Sequence, residues 1–452
     1  MTQFALVTMH PTGELSPFAR GDLGYEVDSI DCYALSDEVL APFRVLVIGS
    51  NVDQEHLARH RGVIRRFLDA GKVLIFCGHL NQDWLPGARH FEPTMPRRRA
   101  SYVVTEVAEH PVFAGVELEH MTERRGVAGF FARGHHPVPD GAQALVHLIG
   151  GQPVTYVDRV STAGTIFVHA TGDLFGYAVG VDDNTAARIP GQLARWAAGE
   201  AAALQEQPPR SGRPVDNWDP MPQSPTTGTG RGLAAVYGGN SHHHRALTTG
   251  KYAEHLTGGL LYLPELAQTD LTGYDGIIIP ERIHRGLLAA AAPRIMELLD
   301  AGGTVVSFSG GEPLPEFLPG VRWEHRPTNY WWWLEPGADL GMSTPNPEHS
   351  FFSHLDVGDC TWHYHGAVRP PAGAEVLLTL PDGDVLAYVD RVSTAGTLFI
   401  ATLDPMSHYG AYFMPATERF LDGFMPWISE FSGSVESGVP TASVPAASSK
   451  RM

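Results

Sequence analysis

The chain has 452 residues, a hydrophobic content of 43% and a formal net charge of −18, enough for two cores of roughly 200 residues each without staples. Its charge repels phosphate backbones, so no general nucleic-acid binding is expected. No apolar run is long enough to span a membrane, and MTQFALVTMH has neither a basic stretch nor a small-residue cleavage site. Three widely spaced cysteines, Cys32, Cys77 and Cys360, argue against a disulfide framework and, with the missing leader, for the cytoplasm.

In chain order, the first half opens with an apolar strand, Phe4 to Val7, and a Pro/Gly-rich loop to Gly24. A second strand is expected within Tyr25 to Ala34. FRVLVIGS, from Phe43 to Ser50, is a near-continuous apolar run, as in a strand buried on both faces. From His56 to Ala70, Leu57, Val63, Ile64, Phe67 and Leu68 recur at helical spacing, with Gly71 as the closing residue. VLIFCGH, from Val73 to His79, is the next buried strand. Strand, helix, strand with short connections implies a right-handed parallel crossover and an α/β sheet.

The second half repeats these events. Gly232 to Val236, Tyr274 to Glu281 and Thr304 to Gly311 read as strands, and Leu287 to Ala301 as the helix. The string YVDRVSTAGT occurs at Tyr156 to Thr165 and again, unchanged, at Tyr388 to Thr397, 232 residues apart. Each copy reads as strand, turn, strand, and a repeat at this offset means two similar halves. Each half closes with a short helix carrying Trp196 or Trp427. The expected division is a domain over 1–205, a Pro/Gly/Ser/Thr-rich linker over 206–230, a second domain over 231–432 and a disordered tail over 433–452.

Several motifs carry a family likeness: VYGGNSHHH, SFSGG, Asp359-Cys360-Thr361-Trp362-His363 and TLDPMSHYG in half two, with HPVFAGV and ATGD in half one. With these residues each half resembles a class I glutamine-amidotransferase-like domain, nearest to the ThuA-like trehalose-utilisation branch. The resemblance implies two tandem flavodoxin-like domains, each a mainly parallel sheet flanked by helices with a late β-hairpin. It also implies a small polar, carbohydrate-like ligand.

In that fold the residue closing the VLIF strand sits on an elbow at the carboxyl edge of the sheet, where a nucleophile is exposed. Cys77 takes this place in half one and Ser309, by the repeat register, in half two. The family pattern is Gly-x-Cys-x-Gly with a later His-x-Glu; here Ile75 and His79 replace the glycines, and no His-x-Glu follows in the late region of either half. Glutamine hydrolysis is therefore not expected, and a small buried apolar residue is the simpler role for Cys77.

Histidines supply the second signal. His242, His243 and His244 follow the first strand of half two, and His354, His363, His365 and His408 fall on other loops or strand ends. Loops after parallel strands gather at one edge, so these residues can meet. An extended His363-x-His365 points both imidazoles to one face. A metal set of His242, His244, His363 and His365, with Asp404, would suit zinc or another divalent ion; acid/base work on a small molecule is the other use.

Ser309, His365, His408 and Cys77 are thus the catalytic candidates, and His242, His244, Trp332 and Asp404 the ligand-binding ones. Trp332 stands in the run Tyr330-Trp331-Trp332-Trp333, which could stack on sugar rings or form a strand with alternate rings buried. No Gly-x-Gly-x-x-Gly follows a first strand, and there is no phosphate-loop motif. The alternative is a non-catalytic binding or scaffold protein. A homo-oligomer is compatible with the sequence. YVDRVSTAGT itself is expected to be architectural, near a pseudo-twofold contact between the domains where Arg159 and Arg391 meet their equivalents.

Overall fold

The computed structural model describes residues 3–9, 17–178, 180–181, 183–206, 210–212 and 221–434. The apolar runs of half one form β1 (Gln3–Thr8), β2 (Glu26–Asp31), β3 (Val45–Ile48) and β4 (Val73–Cys77). The later strands are β5 (Val104–Val107), β6 (Gln143–Leu148), β7 (Pro153–Asp158) and β8 (Thr165–His169). They assemble in the order β2-β1-β3-β4-β8-β7-β6-β5. The first five are parallel, and β7 returns antiparallel to β8 as the expected hairpin.

Half two contributes β9 (Leu233–Tyr237), β10 (Gly259–Tyr262), β11 (Gly276–Ile279) and β12 (Thr304–Phe308). It continues with β13 (Trp323–Glu324), β14 (Ala367–Val368), β15 (Glu375–Thr379), β16 (Val385–Asp390) and β17 (Thr397–Ala401). Their order is β10-β9-β11-β12-β17-β16-β14-β13, with β15 also on β16. The parallel part of each sheet therefore runs second, first, third, fourth, last, which is the flavodoxin-like order. Strands such as Val45–Ile48 and Thr304–Phe308 are wholly buried because helices cover both faces.

The crossover helix expected over His56 to Ala70 is two helices, α1 (Gln54–Arg59) and α2 (Arg61–Asp69), which meet at His60 outside helical geometry. Its counterpart divides into α5 (Arg285–Ala290) and α6 (Ala292–Asp300), counting α3 (Ile189–Glu206) and α4 (Ser241–His244) before them. Pro293 opens α6 because it lacks the N–H that a helix interior needs. Half two ends in α7 (Pro405–Gly410) and α8 (Pro415–Ser434). The closing helices α3 and α8 have 18 and 20 residues, not the short segments expected.

The tail expected to be disordered falls outside the described residues from 435 on, and α8 continues through Ser434. Parts of the expected linker lie outside them as well. Of the rest, Thr227 and Thr229 donate their backbone N–H groups to Leu260 and Gly258, along the edge of half two's sheet.

The ten-residue string is not at the contact between the halves. In both copies the aspartate accepts from two backbone N–H groups of the following turn: Asp158 from Val160 and Ser161, Asp390 from Val392 and Ser393. Arg159 pairs with Glu200 of its own half at 2.7 Å, and Arg391 with Glu375 of its own half at 3.1 Å. Thr165 and Thr397 begin β8 and β17 beside the first residues of β4 and β12. The string thus lies at the amino edge of each sheet, whereas the halves meet at their carboxyl edges.

That meeting is polar at its centre. Gln54 N–H donates to Gly239 C=O at 3.0 Å, Tyr237 hydroxyl to Glu55 at 3.1 Å, and Tyr262 hydroxyl to Asp53 at 2.7 Å. Gly239 has φ +74°, and a Cβ there would stand 1.8 Å from Asp53 Oδ1, so only glycine fits. Beside this centre, the Arg133 guanidinium of half one lies 3.8 Å from the Phe413 ring centroid and donates to Ala411 C=O.

Candidate functional site

At the carboxyl edge of half two, β17 runs out through Thr402 and Leu403 to Asp404, which enters α7. Asp404 is fully buried and makes no side-chain cap to its helix, although aspartate commonly caps there. Its carboxylate is instead turned to three imidazoles. His408, one helical turn on, places Nε2 2.9 Å from Asp404 Oδ2. His365 Nε2 is 2.9 Å from the same oxygen, and His363 Nε2 is 3.3 Å from Oδ1.

His363 and His365 stand two residues apart on the segment leading into β14, with ring centroids 4.9 Å apart. His365 is held by its own backbone: its N–H donates to Thr402 C=O at 2.7 Å, and its C=O accepts from the Trp323 indole at 2.9 Å. His363 Nε2 and His408 Nε2 face each other at 2.9 Å. Ligand atoms of His363, His365, Asp404 and His408 all fall within 4.8 Å of one another, so these four residues could hold a metal ion.

Around them, Trp362 indole N–H donates to Asp404 Oδ1 at 3.1 Å, and an Arg282 guanidinium nitrogen lies 3.7 Å from Oδ2. The Tyr330 ring stands 5.1 Å from the His363 ring, and its hydroxyl lies 3.4 Å from His365 Nδ1. Tyr330 is 47% exposed and forms the solvent side of the group. Burial would raise the Asp404 carboxyl, but His408, His365 and His363 outweigh it and hold it well below the ordinary carboxylate range. His408 is pushed down to about 4 by burial, against the pull of Asp404, and is neutral at pH 7. Glu281, also buried, is raised to about 8 by burial and by the neighbouring Asp404 charge, and accepts from Ser407 N–H at 2.6 Å.

His242 and His244 stand outside this group. Consecutive residues of α4 are turned about 100° from one another, so the three histidines point three ways. His243 is within 2.8 Å of Glu281 C=O through Nε2, and His244 within 3.3 Å of the Tyr237 hydroxyl through Nδ1. His242 faces half one, its ring 5.9 Å from that of His79. Burial, then the Arg282 charge, holds His242 well below the usual imidazole range.

The elbow register also differs from expectation. His169 pairs with Cys77 and Ala401 with Phe308, so the counterpart of Cys77 is Phe308 and that of Ser309 is Gly78. Gly78 and Ser309 donate equivalent backbone bonds to His169 and Ala401. Ser309 hydroxyl donates to the backbone C=O of Glu312 at 2.6 Å rather than to a side-chain base. The Cys77 thiol is buried, and burial pushes it far up, so no thiolate forms there near pH 7.

Tyr330 to Trp333 form no strand; Trp332–Leu334 is a 3-10 turn. Trp332 donates its indole N–H to Trp362 C=O at 2.6 Å, tying this loop to the histidine segment. Tyr330, Glu281 and Arg282 were not singled out from the sequence as site residues. Tyr330 heads an aromatic run that drew attention to its tryptophans, and Glu281 reads as the polar end of a strand.

No family model and no curated protein matches the chain. Among solved structures, a "putative gmp synthase subunit a protein" from Thermoplasma acidophilum is similar at 13% identity and TM-score 0.32, covering 46% of this chain and 96% of its own. A cytoplasmic protein from Salmonella typhimurium LT2 is similar at 10% identity and TM-score 0.28, covering 46% of this chain and 99% of its own. A GH42 beta-galactosidase is similar at 11% identity and TM-score 0.23, covering 85% of this chain and 52% of its own. No helix among the described residues is long and apolar enough to cross a membrane.

Proposed function

We propose that the chain is an enzyme acting on a small polar metabolite at the loop edge of half two, by hydrolytic or other acid/base chemistry. The observation that carries the reading is the convergence of His363, His365 and His408 on the buried carboxylate of Asp404. An imidazole such as His408 beside an ionised carboxylate is equipped either to take and return a proton or to ligate a metal ion that supplies the hydrolytic chemistry in its place. Tyr330 at the rim and His242 on the half-one side would bound the substrate. The carbohydrate-like character of that substrate, and membership of a tandem, ThuA-like amidotransferase-related group, rest on the motifs quoted above. The identical ten-residue string and the equal strand orders favour an origin by duplication, with half one as the member that lost its chemistry. Glutaminase activity has no support at Cys77.

A second reading, a binding or scaffold protein without chemistry, is favoured by Ser309, whose hydroxyl donates to a backbone C=O, and by Cys77, whose buried thiol stays protonated. The two readings separate on one experiment. The purified chain is assayed against sugar esters, sugar lactones, glycosides and N-acyl sugars, beside a His408→Ala variant. Turnover of one class by the parent chain, reduced about a hundredfold or more in the variant, supports the enzyme. Saturable binding without turnover supports the binding protein, and turnover undiminished in the variant overturns the assignment of this site.

A further inference from the structure

The structure assigns to His363, His365, His408 and Asp404 a centre for one divalent first-row transition ion of the zinc class, an assignment that rests on the same site as the functional reading and gives it a cofactor. Each residue offers one ligand atom, and all four atoms lie within 4.8 Å of one another. Three of the contacts among these atoms are 2.9 Å and one is 3.3 Å. Bonds of about 2.0–2.2 Å to a tetrahedral zinc ion place neighbouring ligand atoms about 3.3 Å apart. A small adjustment of the side chains therefore suffices.

Hydrogen bonding within the group leaves some of its ligand atoms unsatisfied. Between His363 Nε2 and His408 Nε2 only one proton can sit, so at least one of these nitrogens presents a lone pair. His365 Nε2 and Asp404 Oδ2 are 2.9 Å apart yet off the direction of a hydrogen bond, and both are buried without a hydrogen-bond partner. Two imidazole nitrogens thus approach Asp404 Oδ2 at 2.9 Å, from His365 and His408. A shared cation satisfies all of these atoms at once.

The surroundings have the character of an outer shell. Trp362 orients the carboxylate through Oδ1, and Tyr330 reaches the far nitrogen of His365. The backbone bonds of His365 to Thr402 and from Trp323 anchor the segment that carries its ring. Three imidazoles and one carboxylate form a nitrogen-rich set that favours zinc, cobalt, nickel or iron(II) over magnesium or calcium, which prefer oxygen. Solvent reaches the group past Tyr330 and past His408, whose side chain is 16% exposed.

The test uses the full chain, prepared without a polyhistidine tag. Metal analysis after dialysis, and titration of chelator-treated protein with cobalt(II) followed by its visible absorption, should both give one ion per chain. Asp404→Ala and His408→Ala, confirmed as folded by circular dichroism, should lose the ion and the absorption band. His90→Ala, at an exposed histidine that pairs with Asp83, should keep both. A parent chain that neither retains an ion nor binds added zinc or cobalt overturns the assignment, as does full binding by an Asp404→Ala, His408→Ala double variant. A chain that binds the ion but turns over none of the tested compounds leaves the metal centre standing and removes the enzymatic reading. A chelator-insensitive activity that depends on His408 does the reverse.

Discussion

The hydroxyl of Tyr262 in half two donates to Asp53 Oδ2 in half one across 2.7 Å, and Tyr33 donates to the same oxygen across 2.9 Å. The other oxygen, Oδ1, accepts the backbone N–H of His56 and caps α1. One fully buried carboxylate therefore fixes a helix start and a contact between the halves. Tyr262→Phe should cost about 1.5–3 kcal/mol, the range for a hydrogen bond to a charged group, and Asp53→Ala about 2–4 kcal/mol once the lost cap is added. Urea denaturation with a fluorescence probe in each half checks this. No change in either midpoint would contradict the role given to Asp53.

The same residue should make stability depend on pH. Burial raises Asp53 from 3.8 to about 6, against the hydrogen bonds it accepts. The folded chain then holds the proton more tightly than the unfolded one, so this contribution is fully present below pH 4 and is lost as pH rises through about 6. Asp53→Asn is neutral throughout. Relative to the parent, it should gain on the order of 2–3 kcal/mol between pH 4 and pH 7. A stability difference that is flat across this range would show that the carboxyl is not buried as described.

The repeated string has a packing reason at its glycine. A Cβ on Gly164 would lie 2.2 Å from Lys72 C=O, and one on Gly396 would lie 2.2 Å from Gly303 C=O. Both obstacles are backbone, so Gly164→Ala and Gly396→Ala should each destabilise by roughly 2–4 kcal/mol. Thermal unfolding measures this directly. Reversing Arg159 and Arg391 together should leave the contact between the halves unchanged, because each arginine pairs within its own half.

All three cysteines are buried. The native chain should therefore be slow to react with a thiol reagent near pH 8, whereas the denatured chain should release three equivalents. Cys77→Ala should leave any turnover intact. A fast-reacting native thiol, or activity lost with Cys77, would restore the elbow cysteine as a nucleophile.

Much of this architecture was legible in the sequence. Apolar runs such as Val45–Ile48 and Thr304–Phe308 announce strands buried on both faces, and the two copies of YVDRVSTAGT place equivalent hairpins in two sheets. The split of the crossover helices is less visible, since the pattern Leu57, Val63, Ile64, Phe67 stays in phase across His60. At the site, His363-x-His365 could be read because an extended segment repeats every two residues. His408 and Asp404 were recognised as candidates, but their spacing of four residues gains meaning only once Asp404 is seen to open a helix. The triple histidine misled for the complementary reason: adjacency in sequence became divergence around a helical turn. The string looked like a contact between domains because charges repeated in both halves, yet each arginine has a local carboxylate. Which edge of a sheet a hairpin occupies is decided by strand register, and no single segment carries that information.

The most direct test of the central claim, that His363, His365, His408 and Asp404 form the working centre, is an anomalous difference map at the zinc edge from crystals of the full chain grown or soaked with zinc. The expected result is a single strong peak within bonding distance of the three Nε2 atoms and the Asp404 carboxylate, absent from Asp404→Ala crystals. Zinc-soaked crystals with no density between these four side chains, or with the imidazoles turned away from one another, would contradict it.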